Sequence, residues 1–136
     1  EAYVSGGLTG EGRKQALAEA VEKWAMKAFD RRLNERLAYY SSIMGVIYRE
    51  VRIKSQKTRW GSCSSKGNLN FNWRLILAPD WILDYVVVHE LCHLKHLNHS
   101  KAFWNTVGLY MPEYKAAVEW LKQNGDALLR PMTPEP

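Results

Sequence analysis

The chain has 136 residues, 46% of them hydrophobic, with six Trp, seven Tyr and a formal net charge of +5. That length suits one domain with a substantial core, and the apolar content excludes a disordered chain. No apolar run reaches membrane-spanning length, because Asp80 and Asp84 interrupt the most hydrophobic region. The charge admits acidic partners, nucleic acid included, but it is dispersed and reads first as a solvated basic surface.

Residues 1–10 are Gly-rich and read as a flexible N-terminal segment, residues 11–125 as a single domain, and residues 126–136, with their prolines, as a tail that is disordered or draped on the surface. From Glu11 to Met44 the pattern is helical, as one long helix or two. Leu17, Val21, Trp24 and Ala28 make an apolar stripe that Phe29, Leu33, Leu37, Tyr40 and Met44 continue, and Gly45 ends it. From Val46 to Leu77 the period becomes two. Leu69, Phe71, Trp73, Leu75 and Leu77 mark one face of an extended segment, and Asn68, Asn70, Asn72 and Arg74 mark the other. Ser64-Ser65-Lys66-Gly67 is a turn, so a hairpin or meander is expected. The asparagine face reads as a solvated sheet face, or as an edge strand offering polar groups to an extended peptide.

Pro79 opens a buried helix that is expected to run to about Leu97, with packing holding the β-branched run Val86-Val87-Val88. Ser100 is the predicted N-cap of the next helix, with Phe103, Trp104, Val107 and Met111 on one face. Pro112 is expected to open the last helix, with Tyr114, Ala117, Val118 and Leu121 inward, and Gly125 to close it.

All four histidines, His89, His93, His96 and His99, fall in one short window, and the first two form an H-E-x-x-H motif with Glu90. Taking His89 as zero on a wheel of about 100° per residue, His93 lies at about +40° one turn on, and Glu90 at about +100° beside that face. Two imidazoles so placed can share a Zn2+ ion, while Glu90 reaches a water on it as general base. His96 has the right angle but lies about 10.5 Å along the axis from His89, too far for Zn–N bonds of about 2.0–2.1 Å to one ion. It is expected to be exposed or to support a ligand. His99 reaches the metal if the chain turns back, and Leu97-Asn98-His99-Ser100 reads as a helix-to-helix corner in which Asn98 tolerates a left-handed conformation.

The H-E-x-x-H-x5-H spacing equals that of the metzincins, but His96 stands where their glycine would be. A closed structural zinc site with Cys92 as fourth ligand is the bland alternative; Cys92 as a small buried apolar residue is the expectation. Cys63 and Cys92 are the only cysteines and are expected as reduced thiols in a cytoplasmic protein. Tyr110, Tyr85, Arg59 and Asn72 are candidates for a second oxyanion donor or a substrate contact; Met111 could floor the metal site but is expected first as a plain core methionine.

Arg59-Trp60-Gly61-Ser62-Cys63, Asn72-Trp73-Arg74-Leu75, Pro79, the run from Asp84 to Leu94 and Asn98-His99-Ser100 with Phe103-Trp104 together resemble the YgjP-type predicted metal-dependent hydrolases. These are relatives of the WLM and SprT-like zinc metallopeptidases. The resemblance covers about residues 11–123. It implies an α+β, zincin-like minimal metallopeptidase with a long N-terminal helix on a small antiparallel-rich sheet, an active-site helix over 79–97 and two C-terminal helices. It implies one Zn2+ on His89, His93 and His99, Glu90 as catalytic base, and a peptide or protein substrate. Family members usually carry a further N-terminal segment, so this chain, which starts at Glu1 and not Met, is expected to be the catalytic part. A monomer is the default. The alternatives are a DNA-associated protein, acting on DNA-bound proteins or mainly binding nucleic acid, and a metal-dependent hydrolase of non-peptide substrates.

Overall fold

The computed structural model describes residues 10–129. The expected flexible segment therefore lies outside the described residues except for Gly10, which is already helical, and the tail lies outside them beyond Leu129.

One unbroken helix, α1 (Gly10–Met44), opens the fold. Ala25, Phe29, Leu33, Leu37, Tyr40 and Met44 recur every three or four residues and are its buried face. Burying each large apolar side chain contributes about 1.5–3 kcal/mol, which anchors this half of the helix. The N-terminal half differs from expectation: Leu17, Val21 and Trp24 are exposed. Measured from Phe29, they sit about 80–140° away from the core stripe at about 100° per residue, so the two stripes do not join. Gly45, at φ +66°, ends α1. Val46 N–H reaches back to Ser41 O and Gly45 N–H to Ser42 O, the paired bonds of a Schellman cap.

Strands β1 (Glu50–Lys54), β2 (Gly61–Cys63) and β3 (Asn68–Asn72) form a sheet of order β1-β3-β2. The predicted hairpin is β2–β3, closed by Ser64–Gly67 with Gly67 at φ +87°. The rest of the sheet is corrected: β1 pairs with β3 in parallel, so the sheet is mixed and not antiparallel-rich. The most deeply buried strand takes the centre, where Leu69 and Phe71 are fully covered and both edges are paired. The asparagine face is therefore not a free edge, and it is only partly solvated. Asn72 is buried and Asn70 Nδ2 donates to Ser62 Oγ at 3.1 Å.

The expected extended run to Leu77 stops at Asn72. Trp73–Leu77 is a 3-10 helix whose first turn is capped by Asn72 Oδ1, which accepts from Arg74 N–H. Trp73, Arg74 and Leu75 are buried in succession, which a strand of period two cannot achieve, and Leu77 is exposed. The central helix α2 (Asp80–Cys92) follows, buried on nearly every side, which is how Val86-Val87-Val88 stays helical. It ends sooner than the expected Leu97. Arg32 pairs with Asp80, and Arg36 holds Asp84 through two bonds of 2.6 and 3.2 Å, so α1 and α2 run side by side in the same direction. That bidentate pair raises the Arg36 pKa, mainly through its hydrogen bond with Asp84.

Helices α3 (Lys101–Tyr110) and α4 (Tyr114–Leu129) complete the domain. Ser100 Oγ accepts from Phe103 N–H as the predicted N-cap, and Phe103, Val107 and Met111 are buried. Gly125 does not close α4, which continues to Leu129. It faces the Trp60 indole, where a Cβ would stand at an ordinary contact distance of 3.4 Å. No helix among the described residues is long and apolar enough to cross a membrane.

Candidate metal centre and catalytic cleft

His89 and Glu90 lie in the last full turn of α2, and His93 is its C-cap. The chain then leaves the helix through a turn, with Leu94, Lys95 and His96 N–H bonded back to Leu91 and Cys92 carbonyls. This early exit carries the corner round, so that His99 returns toward His89 and His93. The corner uses no left-handed residue; among the described residues only Gly45 and Gly67 have positive φ, so the conformation expected of Asn98 is corrected.

The three rings form a near-equilateral triangle, with centroids 5.1 Å (His89–His93), 5.2 Å (His89–His99) and 4.8 Å (His93–His99) apart. One ligand atom from each lies within 4.8 Å of the others. His93 Nε2 and His99 Nε2 are 3.2 Å apart. Two nitrogens on one tetrahedral zinc stand about 3.3–3.4 Å apart, so this pair is spaced to share one such ion. His93 Nδ1–H donates to His96 O at 3.0 Å, which leaves Nε2 with its lone pair directed inward. His89 Nδ1 contacts Glu90 Oε2 at 3.1 Å and leaves its own Nε2 free in the same way. Burial, and then the neighbouring His89 and His93, lower the His99 pKa and favour the neutral, ligating form. Phe103 packs against all three imidazoles from α3, and Trp104 stacks between His99 and Tyr114.

His96 does not join the triangle. Its ring bonds Thr106 Oγ1 at 3.2 Å, and its part in the site is its main-chain carbonyl. Cys92 is fully buried outside the triad, with burial pushing its thiol up to about 12, so it packs as an apolar residue and is no fourth ligand. Both cysteines are free thiols.

The triad opens into a cavity of about 490 Å3. It is lined by Arg59 to Cys63, the approach to β2 and the strand itself, by Tyr85 and Val86 of α2, and by Leu97 and Leu121. Among the described residues strand β2 pairs only with β3, so its other edge is unpaired there, and β2 borders this cleft.

The YgjP-like, metallopeptidase domain family matches residues 3–124. The chain belongs to that family. The YgjP-like domain is also similar to the crystal structure of the metallopeptidase zymogen of Pyrococcus abyssi abylysin, at 27% identity and a TM-score of 0.60, over 74% of this chain and 99% of that one. The corresponding zymogen structure of Methanocaldococcus jannaschii jannalysin covers 71% of this chain and 95% of its own, at 24% identity and a TM-score of 0.56, and shows likeness of fold alone. No curated protein matches the chain significantly.

The remaining sequence candidates separate in space. Tyr85 and Arg59 stand on the cavity wall of the YgjP-like domain. Burial, and then Glu90, push the Tyr85 phenol up to about 12, so it stays protonated and can donate. Tyr110 and Asn72 do not line the cavity. The Asn72 amide is engaged behind the wall, donating to Gln56 O at 2.8 Å and Arg59 O at 2.9 Å. Met111 is buried in the core and does not line the cavity either.

Gly61 is the site residue that side-chain reasoning overlooked. A Cβ there would stand 3.1 Å from Glu90 Cγ, 3.2 Å from Glu90 Oε2 and 3.1 Å from Asn70 O. The strand can therefore approach the carboxylate closely only because residue 61 is glycine. Its signal in the sequence was the Arg-Trp-Gly-Ser-Cys run, in which the glycine carries no chemistry of its own.

Proposed function

We propose that this domain is a zinc-dependent peptidase in which His89, His93 and His99 hold the ion and Glu90 is the catalytic base. The observation that carries the reading is the imidazole triangle at the floor of an open cleft, with a buried carboxylate beside it. Zinc at this triad would supply Lewis acidity and lower the pKa of water at its open position. Glu90 Oε2 is engaged with His89, and Oε1 has no protein hydrogen-bond partner among the described residues, so it is free to take a proton from water and pass it to the leaving amine. The unpaired edge of β2 offers main-chain N–H and C=O groups to an extended peptide. Tyr85 is the preferred donor to the developing oxyanion, because it is buried, protonated and on the cavity wall. Two free thiols favour a reducing, cytoplasmic compartment.

Purified protein is expected to hold close to one zinc per chain and to cleave unstructured peptides. Dialysis against a chelator should abolish cleavage and added zinc should restore it. Full activity in metal-free protein would overturn the proposal.

Gly61→Ala tests the close approach of β2 to Glu90. The added methyl must displace the carboxylate by a few tenths of an ångström. A misplacement of that size is expected to lower kcat about tenfold while zinc stays bound at one per chain. Steady-state kinetics beside metal analysis read both, and a wild-type kcat would remove the positioning role of Gly61.

A further inference from the structure

Charge is distributed unevenly around the cleft. Among the described residues Glu90 is the only carboxylate on its wall, and it is buried deep beside the histidines. Arg59 is the only Lys or Arg on the wall among those residues and is exposed. No carboxylate lies within 4.0 Å of its guanidinium among the described residues; the Arg ion pairs of the domain involve Arg32, Arg36 and Arg52. An arginine left without an acid in a ligand cleft retains its full capacity to bind one.

The backbone that carries Arg59 is held from behind. Asn72 Nδ2 donates to both Gln56 O and Arg59 O, and Arg74 Nη1 donates to Ser55 Oγ at 3.0 Å and Gln56 O at 3.2 Å. Asn72 and Arg74 are themselves buried, so the loop between β1 and β2 is fixed at its base and not free to drift. Lys57 in the same loop and Lys54 at the end of β1, both exposed and without ion pairs among the described residues, add positive charge beside it. Arg59 directly precedes the Trp60-Gly61 approach to the edge strand, so a peptide lying along β2 passes it.

We propose that Arg59 is a substrate-carboxylate subsite, which gives the cleft a preference for peptides with an acidic group near the scissile bond. This rests on the peptidase reading and adds a substrate class to it. A carboxylate can come from an internal Asp or Glu side chain or from a free peptide C-terminus, and both fit a guanidinium equally well. Nucleic acid is the less favoured partner, because the free cation shares its cavity with the histidine triad and not with a broad basic face.

The test compares matched peptides in zinc-loaded protein: Asp or Glu against Asn or Gln at each position around the cleaved bond, and free against amidated C-termini. The acidic member is expected to be favoured about fivefold or more in kcat/KM, with the margin shrinking in salt. The position at which the preference appears separates an internal side chain from a terminal carboxylate. In Arg59→Gln the ratio should fall to about one, and in Arg59→Glu it should invert toward basic peptides. The same fluorescent peptides, titrated into zinc-loaded Glu90→Gln protein, read affinity without cleavage. If acidic peptides bind better there through Arg59 but wild-type protein cleaves nothing, the subsite stands and the peptidase reading fails. Equal cleavage and binding of acidic and amide peptides, or a preference that survives Arg59→Gln, overturns the subsite and leaves the peptidase reading intact. Arg59-dependent binding of a single-stranded oligonucleotide with no acidic-peptide preference also overturns it, and assigns the charge to nucleic acid.

Discussion

Glu90→Gln is expected to leave the protein folded and loaded with zinc and to lower kcat/KM for peptide cleavage by about 100- to 10,000-fold, the usual contribution of a positioned general base. The amide has the size and shape of the carboxylate, so the close packing against Gly61 is kept. Its oxygen can still accept from His89 Nδ1, so the ring orientation is retained as well. What disappears is a group able to take a proton from water and return it. Glu90 is 5% exposed, so bulk solvent is poorly placed to substitute as base. Metal analysis and cleavage kinetics on the same preparation separate the two roles. Activity within about threefold of wild type, at full zinc occupancy, would exclude Glu90 as the base.

His99→Ala is expected to have the largest effect on metal-linked stability. It removes one of three donors and leaves two imidazoles of α2, which alone make a weak site. In wild-type protein, zinc at about 1,000 times its Kd stabilises the fold by about 4 kcal/mol. For a domain of this size that corresponds to a rise in Tm of roughly 10–20 °C. In His99→Ala most of this shift should vanish, while the metal-free Tm changes little, because His99 is exposed and its ring is not part of the core. His96→Ala is the informative contrast. Its contribution to the site is a main-chain carbonyl, so the zinc-dependent shift should persist. Thermal melts with and without zinc measure all three proteins. A zinc shift in His99→Ala equal to that of wild type would remove His99 from the ligand set.

These outcomes depend on features of unequal legibility. The cluster of His89, His93 and His99 was readable because two of the residues share a helical face and the third sits beside a capping serine, all local relations within a short stretch. Gly45 and the Ser64–Gly67 turn were readable for the same reason, since a glycine with positive φ reports its own backbone. The exposed stripe of Leu17, Val21 and Trp24 was misread because apolar spacing alone does not say whether a partner surface exists on that side. Gly125 is no helix end because a single glycine is tolerated inside a helix whose other residues keep packing, and the Trp60 indole it faces is distant in sequence.

The sequence by itself determined the main helices, the Ser64–Gly67 turn, the caps at Gly45 and Ser100, and the grouping of His89, His93 and His99, because each depends on interactions between near neighbours along the chain. Tertiary structure alone decided that β1 crosses to pair in parallel with β3, that Asn72 is buried while Asn68 and Asn70 are half-buried, that α2 stops at Cys92, and that Arg59 and Gly61 border the cleft. Those choices depend on which surfaces meet across the core. Burying Leu69, Phe71 and α2 together leaves β3 only the central place, and that places the edge of β2 beside Glu90.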